Sequence, residues 1–122
     1  MKDEMNGITE EKIDSNEILT ISELEKRLEE LPDWKIVHED SMNKLMREYS
    51  FDNFSQVLDF TKLIKKFAAQ EDHQPVLKST WGRVNVYWWT HTLHGIQERD
   101  FCMAVESDKI YLKFRNEASI EG

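Results

Sequence analysis

The chain holds one cysteine, Cys102, so no disulfide can close within it. Glycine is scarce, at four residues, and nowhere forms a Gly-rich phosphate loop, a Walker motif or a dinucleotide fingerprint. Phosphate chemistry therefore has no foothold. Neither a run of about 18 apolar residues nor a charged-then-apolar leader occurs. A soluble, cytoplasmic protein with no membrane partner is the expectation. Positive charge is also in short supply, with 16 lysines and arginines against 24 aspartates and glutamates and a formal net charge of -8. That balance disfavours direct binding to the phosphates of DNA or RNA. Internal repeats and low-complexity runs are missing as well. Two prolines remain as punctuation, Pro32 and Pro75, and each should stop a helix.

What is present suffices for one domain with one core, since 39% of the 122 residues are hydrophobic and 11% aromatic. Residues 1–20 are acidic and short of large apolar side chains, which predicts a loosely ordered arm. Residues 21–122 form the domain, with a short C-terminal extension after about residue 107. Ser22 and Glu25 make an S-x-x-E capping box, and Leu24, Leu28 and Leu31 recur at helical spacing up to Pro32. Residues 34–39 and 44–49 alternate around the turn residues Glu39, Asp40 and Ser41, which predicts a hairpin. Asp52 is placed to cap a long helix whose apolar stripe comprises Phe54, Val57, Leu58, Phe60, Thr61, Ile64, Phe67 and Ala68. Aromatics at that spacing are core far more often than ligand contacts.

A second hairpin is predicted from residues 76–81 and 83–91 around Gly82. Its second strand, RVNVYWWTH, has two unlike faces. Val84, Val86 and Trp88 should meet the helices, while Asn85, Tyr87, Trp89 and His91 make an opposite face too aromatic to be left in water. That face points to an oligomer interface or a ligand. After Gly95 a third helix is expected over residues 97–106, with Phe101, Ala104 and Val105 inward. Ile110, Leu112 and Phe114 then alternate, as in an added strand or an extended tail. The order helix, hairpin, long helix, hairpin, helix fits an α+β fold, a four-stranded antiparallel sheet with about three helices on one face.

The chemistry concentrates in residues 70–100, which contain three of the four histidines and three of the four tryptophans. Pro75 forces His73 and Gln74 into an extended corner, and the following hairpin delivers His91 at its far end. Two histidines facing one pocket make an acid/base pair near neutral pH. Other readings stand beside this one. His73 and His91 are also ordinary as a corner residue and a strand end. His91-x-x-His94 with His73, Glu71 or Asp72 is a conceivable zinc set, although its spacing matches no familiar zinc motif. Cys102 falls inside an amphipathic helix, a poor place for a nucleophile.

From Ile21 to Val105 the chain resembles the pterin-4a-carbinolamine dehydratases, a family whose animal members also serve as dimerization cofactors of a homeodomain transcription factor. The resemblance rests on several pieces. His73-Gln74-Pro75 is similar to the family's His-His-Pro or His-Asn-Pro corner, Trp81 to its aromatic after a short spacer, and His91 to its strand-end histidine. Gly95 to Asp100 is similar to its helix start, Pro32-Asp33-Trp34 to its entry to the first strand, and residues 49–54 to the start of its long helix.

The resemblance implies dehydration of 4a-hydroxytetrahydropterin to quinonoid dihydropterin, the recycling step after aromatic amino-acid hydroxylases in tetrahydrobiopterin metabolism. It implies His73 and His91 as acid/base groups and Gln74, Pro75, Trp81, Trp89 and Asp100 as substrate contacts. No metal or cofactor is implied, the pterin being the substrate, and a homodimer or homotetramer is. Two positions depart from the pattern. Gln74 stands where His or Asn is usual, and Ala69 stands where an acidic or polar residue is common. Glutamine holds hydrogen bonds but does not titrate. The alternative is thus a catalytically weak dehydratase-like protein that binds a pterin or a partner protein, and no sequence feature marks a surface for a transcription factor.

Overall fold

The computed structural model describes residues 17–121. Of the expected acidic arm, residues 1–16 lie outside that range. Its last residues are held: the Leu19 amide donates to the Ile96 carbonyl at 2.8 Å, which fixes where the chain enters the first helix. Thr20 caps α1 (Ile21–Leu28), accepting from the Glu23 amide while the Glu23 carboxylate accepts from the Thr20 amide. The capping box thus sits two residues upstream of the expected Ser22 and Glu25 pair. Both patterns overlap in the sequence, and the Leu19 anchor lies just ahead of the one used.

β1 (Lys35–Glu39) and β2 (Met42–Ser50) pair with Glu39 opposite Met42. Asp40 and Ser41 form the two-residue turn, at φ 55° and 64°. Positive φ at both central residues is the type I′ requirement, and short polar side chains tolerate it best after glycine. α2 (Phe54–Glu71) is capped by Asn53, whose side chain accepts from the Gln56 amide, and not by Asp52. Asp52 instead gives its own amide to the Gln56 side chain. Val57, Phe60, Thr61, Ile64 and Ala68 face the sheet, whereas Phe54 and Leu58 are exposed. The buried stripe is narrower than the run of apolar residues, because Leu58 lies about 100° around the helix from Val57.

β3 (Val76–Ser79) and β4 (Arg83–Trp88) are shorter than the expected strands. β4 stops three residues before His91, since Thr90 leaves the ladder to pair with Gly95 and residues 91–93 make a 3₁₀ turn. The sheet runs β1-β2-β4-β3, antiparallel throughout. The largest departure is α3 (Glu98–Glu121), 24 residues long, which absorbs the segment expected as a strand or tail. A two-residue alternation over so short a stretch does not separate strand from helix. Helical spacing decides it: Phe101, Ala104, Ser107, Tyr111 and Phe114 turn inward, and Val105 and Leu112 turn out.

The core lies between the sheet and these helices. Leu45, Tyr49, Val84, Val86 and Trp88 meet Phe60, Ile64 and Phe101, all nearly or fully buried. Each such side chain contributes about 1.5–3 kcal/mol by leaving water. Tyr49 packs on Phe60 and Tyr111 with ring centres 4.9 Å and 4.7 Å away. A polar anchor crosses this core. Asp108 of α3 accepts from Tyr49 Oη at 2.6 Å, Arg47 Nη1 at 2.7 Å and Trp34 Nε1 at 3.1 Å. Burial, and then the Asp108 carboxylate, push the Tyr49 hydroxyl far above the ordinary tyrosine range. On the open face of the sheet, Tyr87 and Trp89 are less bare than expected, each only 6% exposed. The Lys78 and Lys44 ammonium groups lie 4.8 Å and 4.3 Å from their ring centres, and long lysine stems cover aromatic surface well.

Candidate active site

The corner is built by the end of α2. Asp72 adopts the left-handed conformation at φ 53°, so that its amide bonds to Ala69 and the His73 amide to Ala68 at 3.1 Å. This Schellman-type ending turns the chain sharply and buries the His73 ring at its exit. Pro75 then keeps Gln74 extended and leads into β3. The guanidinium of Arg99, in the first turn of α3, donates to the Glu71 carbonyl and ties the corner to that helix.

His73 is 8% exposed and lies parallel to Trp88, with ring centres 5.7 Å apart and planes 5° off. Its Nε2 is 2.6 Å from Asp100 Oδ1. Asp100 is fully buried, and its other oxygen accepts from the Gln97 amide at 2.8 Å and from the Thr90 hydroxyl at 2.9 Å. A carboxylate at the third position of a helix is well placed, because it satisfies a free amide at the helix start and meets the positive end of the dipole. One residue therefore starts α3 and holds His73.

His91 is exposed. Its ring stacks on Trp89, with centres 4.2 Å apart and planes 21° off, and its Nε2 lies 3.1 Å from the Gln74 carbonyl oxygen. Both histidines thus offer Nε2 to an acceptor that carries no hydrogen, a carboxylate in one case and a carbonyl in the other. In the neutral ring this pairing assigns the proton to Nε2 and the lone pair to Nδ1.

The structure brings His73, Gln74, Pro75, Trp89, His91 and Asp100 to one end of the sheet and leaves Trp81 at the other. Trp81 is 70% exposed in the β3–β4 turn, and β4, with its six residues from Arg83 to Trp88, separates it from His91 by about 20 Å. Asp100 has no surface to offer a ligand, so its contact is with His73. Trp89 is buried and its ring is already occupied by His91 and Lys44, which makes it a support for His91 more than an open stacking platform. Gln74 and Pro75 border a cavity of about 510 Å³ between α2 and β3, with Thr61, Lys65, Ala69 and Leu77 among its walls. Neither histidine lines it. Among the described residues no three acidic, histidine or cysteine side chains converge as a metal set, and Cys102 faces a groove between α1 and α3. Thr90 and Gln97 went unmarked as site residues in the sequence, and Trp88 was marked only for the core. The one available signal was the acidic residue three positions after Gln97, a helix-start pattern.

The family profile described as pterin 4 alpha carbinolamine dehydratase matches residues 17–110, which span both histidines, the corner and Asp100. The chain belongs to this pterin dehydratase family. Relatives with a provisional pterin-4-alpha-carbinolamine dehydratase name include a Chlorobium luteolum protein, 40% identical over 89 residues, covering 73% of this chain and 78% of its own. A Saccharophagus degradans protein of the same name is 41% identical over 91 residues, covering 75% of this chain and 80% of its own. Among solved structures of the family, the transcriptional coactivator/pterin dehydratase of Brucella melitensis superposes with a TM-score of 0.71 at 30% identity, over 78% of this chain and 99% of that one. A pterin dehydratase-like protein identified as a RuBisCO assembly factor in the alpha-carboxysome gives 0.55 at 16% identity, over 65% and 89%, and shares the fold. The pterin dehydratase fold thus recurs in proteins with differently named roles. Among the described residues no helix is long and apolar enough to cross a membrane.

Proposed function

We propose that the protein dehydrates 4a-hydroxytetrahydropterins to quinonoid dihydropterins, with His73 and His91 as its acid and base. The observation that supports this most is the matched tethering of the two imidazoles, each held by Nε2 at the same end of the sheet. The reaction needs that pair. One imidazolium gives a proton to the 4a-hydroxyl as the C4a–O bond breaks, and water leaves with the bonding electrons. The other imidazole takes the N5 proton, and the N5–H electrons form the C4a=N5 double bond. Each transfer contributes about 10²- to 10⁴-fold. Gln74 and Pro75 border the cavity beside the corner, and in this reading the Gln74 amide donates and accepts at a pterin ring edge.

The decay of chemically generated 4a-hydroxytetrahydropterin, followed by ultraviolet absorbance, tests the reading. Wild type accelerates it and His91→Ala loses at least about tenfold. No acceleration by wild type, or an undiminished His91→Ala, overturns it. A second reading has its own observation in Gln74, which cannot titrate, and in the alanine at position 69. In that reading the protein binds a pterin or a partner protein, as the coactivator and assembly-factor names of its structural neighbours illustrate. Binding of a dihydropterin without acceleration favours it, and a gain of rate in Gln74→His then marks an enzyme that has been retuned.

A further inference from the structure

The geometry points to Thr90 as a positioning residue that sets the two imidazoles relative to one another. This rests on the acid/base reading above and extends it to a residue that touches neither proton in flight. The main chain of Thr90 pairs with Gly95, its amide donating at 2.8 Å to the Gly95 carbonyl and its carbonyl accepting from the Gly95 amide at 3.4 Å. That pairing closes the short loop whose first residue is His91. The side chain of Thr90 points the other way. Its hydroxyl is 2.9 Å from Asp100 Oδ2 and 3.0 Å from Gln97 Oε1.

A hydroxyl has one hydrogen, and only the amide of the two neighbours has hydrogens to give. The consistent arrangement is a relay in which the Gln97 amide donates to Thr90 Oγ1 and Oγ1 donates to Asp100, with Asp100 Oδ1 left to His73 Nε2. The structure sets Gln97 Oε1 against the hydroxyl, and the relay takes that amide turned end for end, which keeps its shape and avoids two acceptors sharing one hydrogen. Thr90 thereby ends on His91 through the backbone and on His73 through Asp100. The fully buried carboxylate cannot rotate to compensate for a lost donor, because the Gln97 main-chain amide holds the same oxygen.

Thr90→Val keeps the shape and the backbone pairing and removes the hydroxyl, while Thr90→Ser restores it. Two readouts are taken on the folded full-length chain, with Gln97→Leu as a second, milder cut into the same relay. The first is turnover: kcat falls about tenfold in Thr90→Val, the size of one hydrogen bond to a charged group, with KM within about twofold and Thr90→Ser near wild type. The second is the ring ¹⁵N spectrum of His73, which shows an Nε2-protonated neutral tautomer in wild type and, in Thr90→Val, a displaced Nε2 resonance as Asp100 loses one of its donors. The ring spectrum does not depend on the dehydratase assignment. If wild type has no activity, the functional reading fails, and the positioning role is judged on the spectrum alone. An unchanged His73 spectrum in both Thr90→Val and Gln97→Leu overturns the proposal, as does an active Thr90→Val with wild-type kcat.

Discussion

Replacing Asp100 by asparagine probes the site with almost no change of shape. In the wild type, Oδ2 receives two donors, the Gln97 amide and the Thr90 hydroxyl, and Oδ1 receives one, His73 Nε2. An asparagine has one oxygen to place. Turning that oxygen towards the two donors leaves the amide NH₂ facing His73, and the opposite choice strands two buried donors at about 1–3 kcal/mol each. The first orientation wins. His73 must then meet an N–H with a lone pair at Nε2, so its proton moves to Nδ1, and the ring can no longer carry protons on both nitrogens without a clash of donors. Dehydration should fall about 10²-fold or more, the usual contribution of one acid/base group. Stability should fall far less. Three bonds to a charge become neutral ones at about 1 kcal/mol each, offset in part because a carboxylate no longer has to be buried, for a net loss of about 1–2 kcal/mol. A domain of this size has about 5–15 kcal/mol to lose. Turnover of 4a-hydroxytetrahydropterin, urea unfolding and the His73 ring spectrum would be measured on the same preparation. A folded Asp100→Asn variant within about threefold of the wild-type rate, or one whose His73 ring still carries its proton on Nε2, would refute the reasoning.

Further outcomes follow from other parts of the molecule. Trp81 is separated from His91 by the length of β4, so Trp81→Ala should leave dehydration within about twofold of wild type, and a larger loss would show that the turn reaches the substrate. Tyr49 should shape the alkaline limb of stability. Its folded-state pKa is raised above the ordinary value of about 10, so above that pH the unfolded chain loses a proton that the folded chain keeps. Stability is therefore fully present below about pH 10 and declines as the pH rises beyond it. Chemical unfolding of wild type and Tyr49→Phe between pH 8 and about 11 checks this: the decline should be shallower in the variant, and equal slopes would dismiss the assignment.

Much of this protein was legible in the order of its residues. The α+β class, both hairpins, the long helix and the two catalytic candidates follow from periodicity, from turn residues and from a proline that stops a helix, because these are local effects read over a few neighbours. Spacing misled where two local patterns compete. Thr20 and Ser22 both start a capping box, Asp52 and Asn53 both cap, and Ile110 to Phe114 alternates like a strand within a segment that packs as helix. Only contact with the core separates such alternatives, since α3 gains its inward face against Tyr49, Phe51 and Phe60.

The site divides in the same way. The sequence by itself singled out the two candidate side chains for the proposed chemistry, His73 behind a helix-stopping corner and His91 beyond a strand. Only the tertiary structure decided which nitrogen of each ring is engaged, that Asp100 is buried against His73, that Thr90 bonds to that same carboxylate, and that Trp81 stands apart. Residues 73, 90 and 100 come from the corner after α2, the loop after β4 and the start of α3, and a hydrogen bond across that distance in sequence leaves no local pattern, because its geometry exists only once the sheet and α3 have packed.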